Sequence, residues 1–226
     1  MSIAQGPGIR NRLELGDVFL FAGAKARRDR VLKTLKRAWS RRQLARLGLL
    51  RHFEDYPTEA IKPKYHELYG LYRLAMERKP RVLLELGGGY STFVFAQACR
   101  DLAARGYRTQ FYSVDQSAHW QGIVQSHLPD ELCDFVEFHR SEVVEKELNG
   151  SPARGFATLP VDSANFIFLD GGGNCDPVLL ERNAPNDYAI LVDGRKSTVE
   201  FLRKNLRLHY QVGTGPAGTQ TLFQRR

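Results

Sequence analysis

Residues 81–100 read RVLLELGGGYSTFVFAQACR, and this stretch decides the fold. An apolar run closes on Glu85, three consecutive glycines follow, and a second apolar run starts after a Ser-Thr pair. The first run predicts a buried strand, and the second predicts a helix with Ser91 as its N-cap. Glycines at a strand-to-helix turn let the backbone approach a neighbouring group closely. The stretch therefore predicts a turn that contacts a ligand, with a carboxylate beside it.

Downstream of this turn, apolar strand patterns and helical patterns alternate to the end of the chain. Further strands are predicted at 109–115, 134–140, 163–170, 187–193, 207–215 and 217–226. The last two are separated by Gly and Pro, which indicates an antiparallel pair. Alternating strands and helices are typical of α/β proteins whose helices cover both faces of the sheet. The sequence thus predicts a doubly wound, mostly parallel seven-stranded sheet with an antiparallel C-terminal strand pair.

Four of the predicted strands end in a carboxylate, at Glu85, Asp115, Asp170 and Asp193. In open α/β sheets, ligands bind outside the carboxyl ends of the strands. Aspartate is also common in loops and at helix starts, which would explain any single one of these residues. Four carboxylates at the same edge of one sheet predict a binding site.

Charge divides the 226-residue chain into two parts. Residues 1–53 contain 13 Lys and Arg against 3 Asp and Glu, whereas residues 54–226 contain 20 against 22. The sequence therefore predicts a basic, partly helical N-terminal arm over 1–53 and an α/β domain over 54–226. Apolar residues in the arm recur at helical spacing, and the pair Arg41–Arg42 interrupts them, which favours two short helices.

The basic arm has three candidate partners. A helix with apolar residues on one side and Lys and Arg on the other suits an anionic membrane surface. Nucleic acid is the alternative partner for a basic segment, although it does not require the apolar side. The third interpretation is that the apolar side packs on the domain, or on a second subunit of a homodimer.

The sequence also predicts a compartment. Three cysteines in 226 residues fit a reducing environment without a disulfide framework. No apolar run approaches the roughly 20 residues that span a bilayer, and residues 1–19 lack the apolar segment of a secretory signal. We expect a cytoplasmic protein, peripheral to the inner face of the membrane if the arm binds lipid.

The segments LLELGGGYST (83–92) and FYSVD (111–115) resemble the first two motifs of class I S-adenosylmethionine-dependent methyltransferases, a Rossmann-like family. A dinucleotide-binding fingerprint fits less well, because its third glycine is replaced by Thr92. The resemblance implies that the glycine turn lies against the methionine part of S-adenosylmethionine (SAM), that Asp115 binds the ribose, and that the following residues flank the adenine. The implied cofactor-binding residues are Glu85, Gly87, Gly88, Gly89, Ser91, Asp115, Gln116 and Trp120.

The segments FIFLDGGG (166–173) and AILVDGRKST (189–198) look most like the small-molecule O-methyltransferases. This resemblance implies methyl transfer to a hydroxyl of a small molecule or of a saccharide-type or lipid-type acceptor, with Asp170, Asp193 and Lys196 as catalytic residues. In the metal-dependent branch, Asp170 and Asp193 would hold Mg²⁺. Gly194 stands where that branch has an asparagine, so metal-assisted and metal-free chemistry both remain open.

Several alternatives remain at this stage. Arg195 and Lys196 either bind an anionic acceptor or only cap a strand end, and His119 and His139 are further candidate bases. Residues 170–177, DGGGNCDP, lack the Asp/Asn-Pro-Pro-aromatic motif of nucleic-acid amino-methylating relatives. Aminopropyl transfer on the same fold, and a non-catalytic cofactor-binding module associated with a membrane, are the other two interpretations.

Overall fold

The computed structural model describes residues 15–56, 62–216 and 218–226, with side chains from residue 31 onward. The described strands are β1 Val82–Leu86, β2 Gln110–Asp115, β3 Glu137–Arg140, β4 Val143–Leu148, β5 Ser151–Phe156, β6 Phe166–Leu169, β7 Ala189–Val192, β8 Tyr210–Thr214 and β9 Thr221–Arg225. The described helices are α1 Leu15–Arg46, α2 Leu50–Glu54, α3 Tyr65–Arg78, α4 Tyr90–Ala103, α5 Ala118–His127, α6 Asp130–Cys133, α7 Asp176–Leu180 and α8 Lys196–Asn205, with a 3-10 turn at Glu181–Asn183.

Seven strands form one sheet in the order β3-β2-β1-β6-β7-β9-β8. Neighbours from β3 to β7 pair in parallel, and β9 runs antiparallel to both β7 and β8. The predicted sheet and its antiparallel C-terminal pair are confirmed. The chain reverses its direction of travel across the sheet between β1 and β6, and such a switch point opens a crevice at the carboxyl ends of the strands.

Both faces of the sheet are buried, which explains why its central strands are apolar throughout. Leu83 and Phe166 point into the core that contains α3 and α4, whereas Leu84 and Ile167 point into the core that contains α7 and α8. Because side chains alternate across a strand, each of these short strands supplies both cores. This double coverage places the functional groups at the strand ends.

The N-terminal helix differs from the prediction. α1 continues through Arg41 and Arg42, so the predicted break at this pair was wrong. Both arginines are exposed, and they do not interrupt the helix because Ser40 and Leu44, one turn apart, are buried on the side that packs. The helix ends at Arg46, and Gly48 in the following turn has a φ of 77°, in the left-handed region that favours glycine.

The structure also divides the chain earlier than residue 53. A compact unit begins at Ser40, after a first unit that ends at Trp39. Leu44, Leu49 and Phe53 are buried in the same core as α3 and α4, so the end of the predicted arm belongs to the α/β unit. The centre of the predicted linker, residues 57–61, lies outside the described residues.

A hairpin of β4 and β5 was not predicted. Its turn is Asn149-Gly150, with φ of 53° and 72°, and Asn-Gly between β-prone segments is a strong hairpin signal. The hairpin is attached to α7 through Asp176, whose carboxylate accepts the Phe156 N–H at 3.0 Å and lies 3.6 Å from Lys146 Nζ. Within the described part of the chain, no helix combines the length and the apolarity needed to cross a bilayer.

The position of Phe53 generates a first test. Its ring is 3% exposed and meets the rings of Tyr90 and Phe93 edge-on at 5.3 and 5.7 Å. We expect Phe53→Ala to lower the free energy of unfolding by about 3–5 kcal/mol, because it leaves a cavity in the core. The control is Val31→Ala at a 56% exposed position, which should change it by less than about 0.5 kcal/mol in urea denaturation. Equal stability of the two variants would contradict the assignment of Phe53 to the α/β unit.

Candidate active site

The crevice at the switch point is a cavity of about 540 Å³. This volume lies in the range of small-molecule sites. The ends of β1, β2, β6 and β7 form its floor, and the first turn of α3 forms one wall. The residues that line it include Tyr56, Lys64, Glu67, Gly87, Gly88, Gly89, Tyr90, Ser91, Asp115, Gln116, Ser117, Trp120, Phe156, Asp170, Gly171, Gly172, Asp193, Arg195 and Gln220.

Two glycine turns touch each other at the centre of the floor. A Cβ on Gly87 would lie 2.5 Å from the Gly171 nitrogen, and a Cβ on Gly171 would lie 2.7 Å from the Gly87 Cα. Real Cβ contacts do not occur at these distances. The Gly171 N–H also donates to the Leu86 carbonyl at 2.7 Å, and Gly87 has a φ of 99°. Glycine is therefore required on both sides for β1 and β6 to end together.

Glu85 lies behind the glycine turn, fully buried, and does not line the cavity. Its Oε2 accepts the hydroxyls of Thr92 at 2.6 Å and Ser113 at 2.7 Å. The Thr92 hydroxyl oxygen in turn accepts the Gly89 N–H at 3.1 Å. Burial raises the pKa of Glu85 to about 7, and the hydroxyl hydrogen bonds limit the rise. In this structure Glu85 supports the turn from behind.

The helix that follows the turn starts differently from the prediction. Its N-cap is Gly89 and α4 begins at Tyr90, so Ser91 lies in the first turn and faces the cavity. The hydroxyl that serves the N-terminal backbone is that of Thr92. A Cβ on Gly89 would meet no atom within 4 Å. The turn therefore leaves open space in front of its backbone, which a bound ligand can fill.

Asp115 connects the glycine turn to the start of α5. Its Oδ2 accepts the Gly88 N–H at 3.0 Å, and its Oδ1 accepts the Ser117 N–H at 2.7 Å. Ser117 then caps α5, since its hydroxyl oxygen accepts the Trp120 N–H at 3.2 Å. A carboxylate oxygen accepts more than one hydrogen bond. Both oxygens of Asp115 therefore retain capacity for a ligand hydroxyl.

Three carboxylates, those of Glu67, Asp170 and Asp193, lie at the opposite end of the cavity. Burial against the cleft walls and the charge of Asp193 raise the pKa of Asp170 to about 6, while Arg195 and Lys64 lower it. Burial and the charge of Glu67 also raise the pKa of Asp193, and the Gln220 amide lowers it. The protein therefore under-compensates the negative charge here, which is typical of groups that act on a ligand.

Glu67 and Gln220 are site residues that the sequence did not indicate. Glu67, in the first turn of α3, is 7% exposed, lies 3.2 Å from Lys64 Nζ and accepts the Thr219 hydroxyl at 3.3 Å. The side chain of Gln220 is buried, and its Oε1 has no partner among the described residues. No motif surrounds either residue, so only the packing of α3 and of the β8–β9 connection reveals them.

The other predicted residues are distributed unevenly. Gln116 and Trp120 line the cavity, whereas Lys196, the first residue of α8, is exposed outside it. Arg195 lines the cavity together with Lys62 and Lys64, and its guanidinium donates to the Asp170 carbonyl. The predicted bases His119 and His139 do not belong to the described wall of the cavity.

The residues at the strand ends do not fit a metal ion. Asp170 and Asp193 both face the cavity, but Gly194 offers no side chain as a third ligand. Glu67, Asp170 and Asp193 share this end of the cavity, but among the described residues no three His, Cys, Asp or Glu side chains are placed so that they could hold one metal ion. We derive no metal-assisted step from this site.

No family model and no curated protein matches the chain in sequence. Among solved structures, it is similar to SAH-bound methyltransferase PaMTH1 of Podospora anserina, with a TM-score of 0.53 and 13% identity over 78% of this chain and 87% of that chain. An O-methyltransferase of Bacillus cereus in complex with SAH has a TM-score of 0.46 and 15% identity, over 81% and 90%. A methyltransferase of Geobacter sulfurreducens has a TM-score of 0.47 and 18% identity, over 81% and 88%. The first similarity establishes the Rossmann-like methyltransferase fold, as predicted.

The contact between the two glycine turns generates a second test. We expect Gly171→Ala to lower the free energy of unfolding by about 1–3 kcal/mol, because its methyl group would push the two turns apart. Gly89→Ala is the matched control, since its methyl group would enter open space, and it should change stability by about 0.5 kcal/mol or less. Urea denaturation measures both. A Gly171→Ala protein as stable as the control would show that the contact is not limiting.

Proposed function

We propose that this chain is a SAM-dependent methyltransferase that methylates a hydroxyl of a small, donor-rich acceptor, such as a saccharide or a polyhydroxylated headgroup. The observation that carries the proposal is the position of Asp115, which joins the glycine turn to α5 at one end of a cavity whose other end contains Asp170 and Asp193. The fold shared with SAH-bound PaMTH1 supports the same function.

The residues around the glycine turn fit SAM. The open space before Gly89 accommodates a ligand against bare backbone, and Asp115 offers carboxylate oxygens to ribose hydroxyls. The ring of Trp120 lies on the cavity wall near Gln116, where an adenine would lie. When bound, SAM supplies an activated methyl group on a sulfonium. Glu85 holds the turn in shape through Thr92, so that its contribution is positional.

The acceptor wall determines which acceptor fits. Its inner polar groups are the carboxylates of Glu67, Asp170 and Asp193 and the unpartnered Oε1 of Gln220, all of which accept hydrogen bonds. Buried acceptor atoms left without a donor cost about 1–3 kcal/mol each. A ligand hydroxyl or amino group would satisfy Gln220 Oε1 and hydrogen-bond the two aspartates. Lys64 and Arg195 offset only part of the negative charge that an anionic acceptor would meet, because the pKa values of Asp170 and Asp193 remain raised.

Asp170 is the base that the geometry favours. A hydroxyl acceptor loses its proton as its oxygen takes up the methyl group, and a carboxylate with a pKa of about 6 is ionised at neutral pH yet basic enough to share that proton. Asp193 sustains this basicity through its negative charge, and Arg195 orients the loop by its bond to the Asp170 carbonyl. The proton leaves Asp170 to solvent through the open cleft.

The role of Asp115 is tested by cofactor binding. We expect Asp115→Ala to weaken binding of SAM and SAH by about 1–3 kcal/mol, the range for hydrogen bonds to a charged group. Asp115→Asn should lie between this variant and the parent, because one oxygen remains. Asp134→Ala, at an exposed carboxylate outside the cavity, is the control. Titration calorimetry on folded proteins measures the three affinities, and an unchanged affinity of Asp115→Ala would contradict the ribose assignment.

The role of Asp170 is tested by the pH dependence of turnover. The base must be unprotonated, so kcat should rise with pH through about 6 and reach a plateau above it. Asp170→Asn should lower kcat about 10²–10⁴-fold and remove this acid limb, while the affinity for SAM stays the same. Labelled methyl transfer to a fractionated small-molecule extract gives the readout, with Glu200→Gln on the exposed side of α8 as control. Full activity of Asp170→Asn would overturn the assignment.

A further inference from the structure

The described part of α1 before Ser40 exposes a contiguous group of large apolar side chains. Val31, Leu32, Leu35 and Trp39 are exposed by 56%, 55%, 60% and 49%. Single exposed apolar residues are normal on protein surfaces, but a contiguous apolar group marks an interaction surface. With 3.6 residues per helical turn, the four residues fall within an arc of about 100°. They form one stripe along the helix.

Cations occupy much of the rest of this helix surface. Lys33, Lys36 and Arg37 are exposed. Lys33 and Arg37 lie on the side away from the stripe, and Lys36 lies at its edge, about 40° from Leu32. Residues 25–37 contain seven Lys and Arg against the single acid Asp29. Over residues 31–39 the apolar stripe and the cations therefore occupy different parts of the helix surface.

An apolar stripe together with exposed cations favours one class of partner among those that a basic helix can bind. The same segment of a second copy carries the same positive charge and would be repelled, and the remainder of the chain is nearly neutral rather than acidic. Nucleic acid uses the cations but leaves the apolar stripe in water. The interface of an anionic bilayer accepts apolar side chains below the headgroups and attracts cations at their level. Tryptophan is also enriched at that level.

We propose that residues 25–39 bind the surface of a bilayer that contains anionic lipid, with the helix lying in the plane of the membrane. Val31, Leu32, Leu35 and Trp39 enter the interfacial region, and the lysines and arginines remain among the headgroups. The segment lies on the membrane and does not cross it, which agrees with the absence of a spanning helix in the described residues. This binding is independent of the proposed methyl transfer.

Sedimentation of the full-length chain with vesicles tests the proposal. We expect binding to vesicles of phosphatidylcholine mixed with phosphatidylserine, at least about tenfold weaker binding to phosphatidylcholine alone, and a loss of binding as salt rises. The double variant L32S/L35S and the triple variant K33Q/K36Q/R37Q should each weaken binding about tenfold or more. Circular dichroism and the unfolding midpoint verify that the variants are folded.

Two controls match these variants elsewhere on the surface. V212S replaces another exposed apolar residue, and R105Q/R203Q/K204Q removes three exposed cations outside the segment. Both controls should bind vesicles like the parent. Equal binding to neutral and anionic vesicles, or controls as impaired as the segment variants, would overturn the proposal. A third pattern would also overturn it: L32S/L35S still binds, K33Q/K36Q/R37Q does not, and duplex DNA displaces the bound protein. That pattern indicates a nucleic-acid surface.

Discussion

The backbone contact between Gly87 and Gly171 is the constraint on which the cleft depends. These residues end adjacent strands at the point where the chain changes direction across the sheet, and each leaves no room for a Cβ on the other. The next two glycines continue the constraint, since a Cβ on Gly172 would lie 2.3 Å from the Phe156 ring and one on Gly173 would lie 2.1 Å from the Arg154 carbonyl oxygen. Residues 171–173 after β6 therefore pack closely between the glycine turn after β1 and the β4–β5 hairpin.

Carboxylates at the four strand ends differ in role because their surroundings differ. Glu85 is fully buried and satisfied on one oxygen by hydroxyls, so it serves as a brace for the turn. Asp115 accepts two backbone N–H groups and keeps capacity for a ligand. Asp170 and Asp193 face the cavity beside Glu67, where burial and the charge of a neighbouring carboxylate raise the pKa of each. The proposed function assigns proton acceptance to Asp170. Carboxylates at a single sheet edge thus have different surroundings, and the proposed function assigns them support, cofactor binding and proton transfer.

The basic helix and the cleft have two different proposed binding properties, which can be measured separately. The cleft contains the acceptor groups on which the proposed choice of a donor-rich substrate rests. The helix has the apolar stripe and the cations on which the proposed binding to an anionic membrane rests. An acceptor of the saccharide or lipid type would make the two properties complementary, because membrane binding would concentrate the enzyme where such acceptors occur. Vesicle sedimentation measures membrane binding by the helix, and titration calorimetry measures cofactor binding in the cleft.

The sequence by itself determined the sheet, the glycine turn and most of the strand-end carboxylates, because apolar periodicity and glycine placement are local signals. Tertiary structure decided the rest. Glu67 joins the site through a hydrogen bond to Thr219, 152 residues away, and Gln220 enters it only because β9 inserts beside β7. Leu44 and Phe53 belong to the core although a basic segment contains them, and Arg41–Arg42 leaves α1 unbroken because Ser40 and Leu44 are buried on the side that packs. These features depend on contacts between distant parts of the chain, which local patterns do not encode.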